Sequence, residues 1–300
     1  MGVSPLDVVR SRFDVPEVEV PTGQMVELPG RGGATYVTDT PGPDPDSPTV
    51  VLLHALGCTG LLTWFPSIEA LSARYRVVTL DLRWHGRGIQ SEEFSLVDCA
   101  DDVAALIELL GLEDVIVAGY SMGSIVAQRV WRQHPEWVQG LVLAATTDRF
   151  QRTAYERFFF AGMGLTMFAT RELSRSRVAM RAARAAVDGL DATDLQTWAL
   201  NEFRSTSPWA VGQALAALGR HHSRPWLGRI DVPTAVVVMQ RDRVIPTDRQ
   251  YMLARRIPGA TVHEVDDGHA ACVLGAERFV PVFLEAVATV NARRGELRRP

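Results

Sequence analysis

Short apolar runs alternate with longer amphipathic stretches along most of the chain. Residues 50–53, 76–80 and 234–239 have the length and the β-branched content of buried strands. Residues 95–110 instead repeat apolar side chains every three or four positions, which is typical of a helix with one buried face. Strands and helices that alternate in this way predict an α/β fold, in which helices cover both faces of a mostly parallel sheet.

The alternation stops between about residue 148 and residue 223, where no run favours a strand and helical spacing dominates. We therefore predict a core formed by residues 1–147 and 224–300, with the helical residues 148–223 inserted into it. The large apolar side chains of the insertion either line an apolar pocket or attach the insertion to the core. They are Phe158, Phe159, Phe160, Met163, Met167, Phe168, Trp198, Phe203 and Trp209.

The most informative motif is Gly-Tyr-Ser-Met-Gly at residues 119–123, between an apolar run and an amphipathic one. A G-x-S-x-G motif between a strand and a helix is typical of a nucleophile elbow, a turn so tight that the serine backbone is strained. The two outer glycines leave room for neighbouring backbone. The helix directs its first N–H groups toward any anion that forms there. We therefore predict Ser121 as a nucleophile.

A serine hydroxyl needs an adjacent base, usually a histidine that a carboxylate orients. Asp242 follows the predicted strand 234–239, and His269 follows the predicted strand 261–265. Because the carboxyl ends of parallel strands meet at one edge of a sheet, these side chains and Ser121 can converge. We predict His269 as the general base and Asp242 as the acid that orients it.

Other carboxylates and nucleophiles are weighed against this assignment. Asp148 follows the predicted strand 141–143 and is an alternative orienting acid, whereas Asp266 and Asp267 are too close in sequence to His269 to orient its ring easily. Two of the three cysteines, Cys58 and Cys272, lie near the predicted site, so a thiol nucleophile is an alternative. We interpret the cysteines as packing residues.

Three further histidines are interpreted as structural. His54 and His85 lie near the same sheet edge as the predicted site but precede the serine, and His263 lies inside a predicted strand. Their ordinary role is that of a hydrogen-bonded buried side chain.

Attack on a carbonyl produces an oxyanion, which two backbone N–H groups usually stabilise. The residue after the nucleophile, Met122, supplies one donor. The second comes from a loop after an earlier strand, here residues 54–60, and Leu56 is the predicted donor. A helix that covers this loop is predicted to begin at Trp64 and Phe65.

Together these motifs resemble the α/β-hydrolase superfamily over about residues 34–287. The resemblance rests on the elbow, on the late Asp and His, on His-Ala-Leu-Gly at residues 54–57 and on Asp-Leu-Arg-Trp-His-Gly-Arg-Gly at residues 81–88. Ala55 departs from the glycine that more usually follows the histidine of this loop. The resemblance implies an α/β-hydrolase fold with a helical cap after the sixth strand, and a serine branch similar to esterases, enol-lactonases and haloperoxidase-like proteins.

The expected function is that of a serine hydrolase that cleaves a carboxylic ester or related acyl bond of a small, largely apolar substrate. Serine at the elbow excludes the dehalogenases and epoxide hydrolases of this fold, which use aspartate. Ala270 after His269 argues against the C–C bond hydrolases, which usually carry an aromatic residue there. Enol-lactonase, C–C bond hydrolase and perhydrolase activities stay open, as does a hydrolase-like ligand-binding protein.

The expected partner is a small-molecule substrate, and neither nucleic acid nor a membrane is expected as a partner. The chain has 300 residues, 47% of them hydrophobic, and a net charge of −4, which favours neither nucleic acid nor an anionic membrane. We expect no secretion signal and no membrane span, because no basic start precedes an apolar core and no apolar run is long enough. Scattered cysteines without metal spacing suit the cytoplasm. We expect no metal and no cofactor.

Overall fold

One eight-stranded sheet forms the centre of the computed structural model, which describes residues 19–154, 156 and 195–297. In space the strands follow the order β1-β2-β4-β3-β5-β6-β7-β8. β1 pairs antiparallel with β2, β2 pairs antiparallel with β4, and all other neighbours are parallel. The strands are β1 (Gln24–Leu28), β2 (Gly33–Thr40), β3 (Thr49–Leu53), β4 (Arg76–Leu80), β5 (Val115–Tyr120), β6 (Val138–Ala144), β7 (Thr234–Met239) and β8 (Thr261–Val265).

Helices cover the sheet on both faces. Those in the described part of the chain are α1 (Gly60–Ser72), α2 (Leu96–Leu109), α3 (Met122–Gln133), α4 (Leu195–Arg204), α5 (Pro208–Arg220), α6 (Arg224–Leu227), α7 (Thr247–Ala254), α8 (Ala271–Leu274) and α9 (Ala276–Leu297). Helices α1 and α9 lie on one face of the sheet, and α2, α3 and α7 lie on the other.

Successive side chains of a strand point to opposite faces of the sheet. Because helices cover both faces, each central strand is buried on both sides. In β3, Leu52 packs in the cluster that contains Trp64 and Phe283, whereas Leu53 packs in the cluster that contains Ile125. Burial of each such side chain contributes about 1.5–3 kcal/mol. The predicted α/β fold with helices on both faces is confirmed.

Two local features differ from the sequence-based expectation. Strand β1 was not predicted, because it is short, lies at the sheet edge and has mostly exposed side chains. Helix α1 begins at Gly60 rather than at Trp64. The hydroxyl of Thr59 accepts a hydrogen bond from the Leu62 N–H at 3.1 Å and so caps the helix. Pro66 also lies inside this helix.

In the described part of residues 148–223, α4 and α5 are the main elements, loops connect them to the core, and a single β-bridge joins Arg149 and His222. Most of the large apolar residues that we assigned to this insertion lie outside the described residues. They are Phe158, Phe159, Phe160, Met163, Met167 and Phe168. Within the ranges that the structure describes, no helix combines the length and apolar character that a bilayer span requires.

Candidate active site

The candidate nucleophile Ser121 lies in the turn between β5 and α3 with strained backbone angles, φ 52° and ψ −111°. Hydrogen bonds to the end of β6 hold this turn: the Ser121 N–H donates to the Ala144 carbonyl at 2.9 Å. A Cβ atom on Gly123 would overlap the Leu53 carbonyl, and one on Gly119 would overlap the backbone of Gly123. Both glycines are therefore needed for the close approach of β5, α3 and β3.

The three predicted side chains meet at the carboxyl edge of the sheet. The His269 Nε2 atom lies 3.0 Å from Ser121 Oγ, and its Nδ1 atom lies 2.7 Å from Asp242 Oδ2. A carboxylate only accepts hydrogen bonds, so Nδ1–H donates to Asp242 and Nε2 accepts from the serine hydroxyl. The Asp242 side chain is fully buried, whereas the His269 side chain is 21% exposed. This arrangement can transfer a proton from the hydroxyl to the imidazole.

Four donors hold the Asp242 carboxylate in place. The N–H groups of Val244 and Ile245 donate to Oδ1 at 2.8 and 2.9 Å. Besides His269, the amide of Gln250 on α7 donates to Oδ2 at 3.0 Å. Gln250 is itself fully buried, and its oxygen accepts a hydrogen bond from the Met239 N–H at the end of β7. Sequence reasoning missed Gln250, since a single polar residue in a helix forms no recognisable pattern.

Tyr120 also fixes the position of His269, through a contact with its backbone. The Tyr120 hydroxyl donates to the His269 carbonyl at 2.9 Å, and the two rings are 5.9 Å apart in an edge arrangement. Burial raises the pKa of Tyr120 well above its usual value, so the hydroxyl stays a donor. Tyr120 occupies the second position of the elbow motif, and its role was not predicted.

The two predicted oxyanion donors stand at the ends of adjacent elements. Met122 is the first residue of α3, so its N–H has no partner within the helix. In the 54–60 loop, the Ala55 N–H donates to Thr63 Oγ1 at 3.2 Å and is therefore occupied. A turn closed by the Cys58 N–H and the Ala55 carbonyl, with Gly57 at φ 74°, contains Leu56. The assignment of Leu56 and Met122 as oxyanion donors stays a prediction.

The alternative acids have other partners. Asp148 is fully buried between Arg152 and Arg256, at 2.5 and 2.9 Å. Asp266 pairs with Arg241, and Asp267 pairs with Arg278.

The buried histidines near the site link backbone segments. The His54 ring contacts the Ala55 carbonyl through Nδ1 and accepts from the Leu82 N–H through Nε2, both at 2.8 Å. Burial lowers the pKa of His54 to about 4. Burial lowers the pKa of His85 to about 3, and its Nδ1 atom contacts the Arg83 carbonyl at 2.9 Å. Both rings are therefore neutral at pH 7, as structural side chains.

The cysteines lack the reactivity of a nucleophile. Burial raises the pKa of the Cys58 thiol to about 11 and raises the pKa of Cys99 and Cys272 further. Each thiol is therefore protonated at neutral pH. Among the residues that the structure describes, no group of three His, Cys, Asp or Glu side chains is arranged to hold a metal ion.

Comparison with known proteins identifies relatives over most of the chain. A family model described as the alpha/beta hydrolase fold matches residues 48–276. A protein provisionally named carbamate hydrolase RutD, from Azorhizobium caulinodans, is 30% identical over 79% of this chain and 90% of its own length. A pimeloyl-[acyl-carrier protein] methyl ester esterase from Chromobacterium violaceum is 30% identical over 81% of this chain and 95% of its own.

A solved structure shows the same fold at lower sequence identity. The enol-lactonase from Burkholderia xenovorans LB400 superposes with a TM-score of 0.66 at 20% identity. The match covers 88% of this chain and 100% of that one.

Proposed function

Since the chain belongs to the α/β-hydrolase family, we propose that it is a serine hydrolase that cleaves a carboxylic ester or related acyl bond of a small, largely apolar substrate. The observation that carries the proposal is the continuous hydrogen-bonded series from Ser121 through His269 to Asp242, at 3.0 and 2.7 Å. Similarity to proteins named as a methyl ester esterase and as a carbamate hydrolase supports the cleavage of an acyl bond.

In the proposed reaction, Ser121 Oγ attacks the substrate carbonyl while His269 Nε2 takes the hydroxyl proton. The imidazolium that forms is stabilised by the buried carboxylate of Asp242. His269 then returns the proton to the leaving group, which departs and leaves an acyl-enzyme on Ser121. Water attacks this acyl group with His269 again as the base, and the serine is regenerated.

The N–H groups of Met122 and Leu56 would bind the oxyanion of each tetrahedral intermediate. The loss of one such donor typically raises the barrier by about 3 kcal/mol. Support for Met122 comes from its place at the first turn of α3, where the helix dipole also favours negative charge. Support for Leu56 comes from the turn that contains it, since the neighbouring Ala55 N–H is already bonded to Thr63.

We further propose that residues 148–223 form a cap over the core. The rings of Trp198 and Phe65 are 5.2 Å apart, and Trp209 stacks on Trp84 at 4.4 Å. These two tryptophans of the proposed cap therefore attach it to the core. The substrate pocket would be lined by other residues of the segment.

The test is the turnover of a panel of p-nitrophenyl esters, aryl carbamates and lactones by the wild-type protein and by Ser121→Ala. We expect the wild type to cleave at least one acyl class, and Ser121→Ala to lose about 10⁶-fold in kcat. Ser72→Ala, a change of a partly exposed serine at the end of α1, serves as the matched control. Equal turnover by Ser121→Ala and the wild type would reject the proposal.

A further inference from the structure

One carboxylate connects helix α4 to two loops of the core. Glu202 Oε2 accepts a hydrogen bond from the Thr59 hydroxyl at 2.5 Å. The Arg87 guanidinium donates to both carboxylate oxygens of Glu202, at 3.2 and 3.3 Å. The Glu202 side chain is only 12% exposed, so these contacts are poorly screened by water.

The first of these contacts reaches the 54–60 loop. Thr59 is in this loop and caps α1, where its hydroxyl accepts from the Leu62 N–H at 3.1 Å. The same hydroxyl donates its one proton to Glu202, so its rotamer is fixed from both sides. Leu56, the proposed oxyanion donor, lies three residues earlier in this loop. A change at Glu202 therefore acts on the segment that presents Leu56.

The second contact reaches the loop after β4. Arg87 lies with its guanidinium carbon 3.5 Å from the centre of the Tyr36 ring, and its Nε atom is 3.6 Å from Asp81 Oδ2. Asp81 in turn accepts from the N–H groups of Gly60 and Arg87, at 2.8 and 2.9 Å. Asp81 thus joins the 54–60 loop to the loop after β4, in addition to the contacts that both loops make with Glu202.

A neighbouring contact strengthens this connection. The Gly86 N–H donates to the hydroxyl of Thr206, two residues after α4, at 3.0 Å. Helix α4 and Thr206, just beyond its end, are therefore bonded to both loops at the carboxyl ends of β3 and β4. No other carboxylate in the described part of α4 makes such contacts, because Glu202 is the one acidic residue of that helix.

We propose that Glu202 is a positioning residue: by holding Thr59 and Arg87 it fixes the 54–60 loop, and so couples the seating of α4 to stabilisation of the oxyanion. The proposal rests on the serine hydrolase function proposed above. A displaced α4 would leave Ser121 and His269 in place while the Leu56 N–H loses its fixed direction. The effect is then expected on kcat rather than on substrate binding.

Kinetics with matched variants test the coupling. We expect Glu202→Gln to lower kcat about tenfold with KM changed less than about threefold, since small misplacements of catalytic groups reduce rate strongly. Thr59→Val should cause a similar fall, and the double variant should fall no further than either single one. Thr59→Ser keeps the hydroxyl and should retain wild-type kcat.

Glu156→Gln is the control for a general loosening of the inserted segment. Glu156 forms an ion pair with Arg249 on α7 at 2.6 Å, so it also joins the insertion to the core. It contacts no residue of the 54–60 loop that the structure describes. We expect Glu156→Gln to leave kcat unchanged. An equal fall in both glutamate variants would overturn the proposal.

Hydrogen exchange of the backbone amides in residues 54–60, followed by mass spectrometry, is independent of any substrate. We expect Glu202→Gln to speed exchange in this segment about tenfold or more, and Glu156→Gln to leave it at the wild-type rate. Wild-type exchange of the loop in Glu202→Gln overturns the proposal whatever the kinetics. If the wild type cleaves no acyl substrate, the proposed hydrolase function fails, and the exchange measurement still decides whether Glu202 holds the loop.

Discussion

Asp242 and His269 are joined at 2.7 Å between Oδ2 and Nδ1, and the aspartate side chain is completely buried. The histidine side chain, by contrast, is 21% exposed, and its Nε2 atom lies 3.0 Å from Ser121 Oγ. The Asp242 carboxylate is therefore fixed in one orientation by its burial and by the hydrogen-bond donors around it. The imidazole therefore presents Nε2, and not Nδ1, to Ser121.

Replacement of Asp242 by asparagine should disable this orientation while leaving the fold intact. The amide can donate to Nδ1, which favours the wrong tautomer of His269, and kcat should fall about 10⁴-fold. Asp148→Asn is the matched control, because Asp148 is also buried but bonds Arg152 and Arg256. It should lower the melting temperature and keep kcat within about threefold. A fall in kcat of similar size for both variants would assign Asp148 a role that its contacts do not support.

The Gly123 position should tolerate no side chain. A Cβ atom there would overlap the Leu53 carbonyl, where β3 leads into the 54–60 loop. We expect Gly123→Ala to lower the free energy of unfolding by about 3 kcal/mol in urea titrations. Gly295→Ala is the control, since a Cβ atom meets nothing within 4 Å at that helical position. It should raise stability by up to about 1 kcal/mol. If Gly123→Ala has the stability of the wild type, residue 123 does not pack as closely against the Leu53 carbonyl as this structure shows.

His221 should make the protein less stable in acid. Burial, with Arg129 and His222 as lesser causes, lowers its pKa from 6.5 to about 3, and neither ring nitrogen has a hydrogen-bond partner among the described residues. Between these two pKa values the unfolded chain binds a proton that the folded chain does not. The free energy of unfolding therefore decreases as the pH is lowered, by about 1.4 kcal/mol per pH unit well below pH 6.5.

The measurement is urea unfolding of the wild type and of His221→Leu at pH 7 and pH 5. The variant removes one proton-binding group of the unfolded state without removing a described hydrogen bond. Its loss of stability between the two pH values should be smaller than that of the wild type by about 2 kcal/mol. His54 and His85 act in the same direction in both proteins, so their contribution cancels. Identical pH dependence would show that His221 is protonated in the folded state.

Strands β7 and β8 and the three candidate catalytic side chains could be predicted from the sequence for a common reason. Strands β7 and β8 have the predicted bounds, because apolar runs there end abruptly in polar loops. Asp242 and His269 follow those strands directly, and a parallel sheet brings such positions together. For Asp242 and for His269, the apolar pattern of the strand that precedes the residue was sufficient to predict its position at the sheet edge.

The supporting contacts could not be predicted in that way. Gln250 acts on Asp242 from the next helix, and Glu202 acts on Thr59 across 143 positions of the chain. Each is a single polar residue whose partner depends on how helices pack on the sheet. Strand β1 escaped prediction for a different reason, since an exposed edge strand lacks the apolar run that marks a buried one.

Covalent capture of Ser121 tests the central claim most directly. The protein is incubated with a fluorophosphonate, and the modified residue is identified by mass spectrometry of its peptides. We expect one phosphonyl group per chain, attached to Ser121, and slower labelling by about 10⁴-fold in Asp242→Asn because the hydroxyl is no longer activated. A wild-type protein that stays unlabelled at Ser121 while it cleaves acyl substrates would contradict the account.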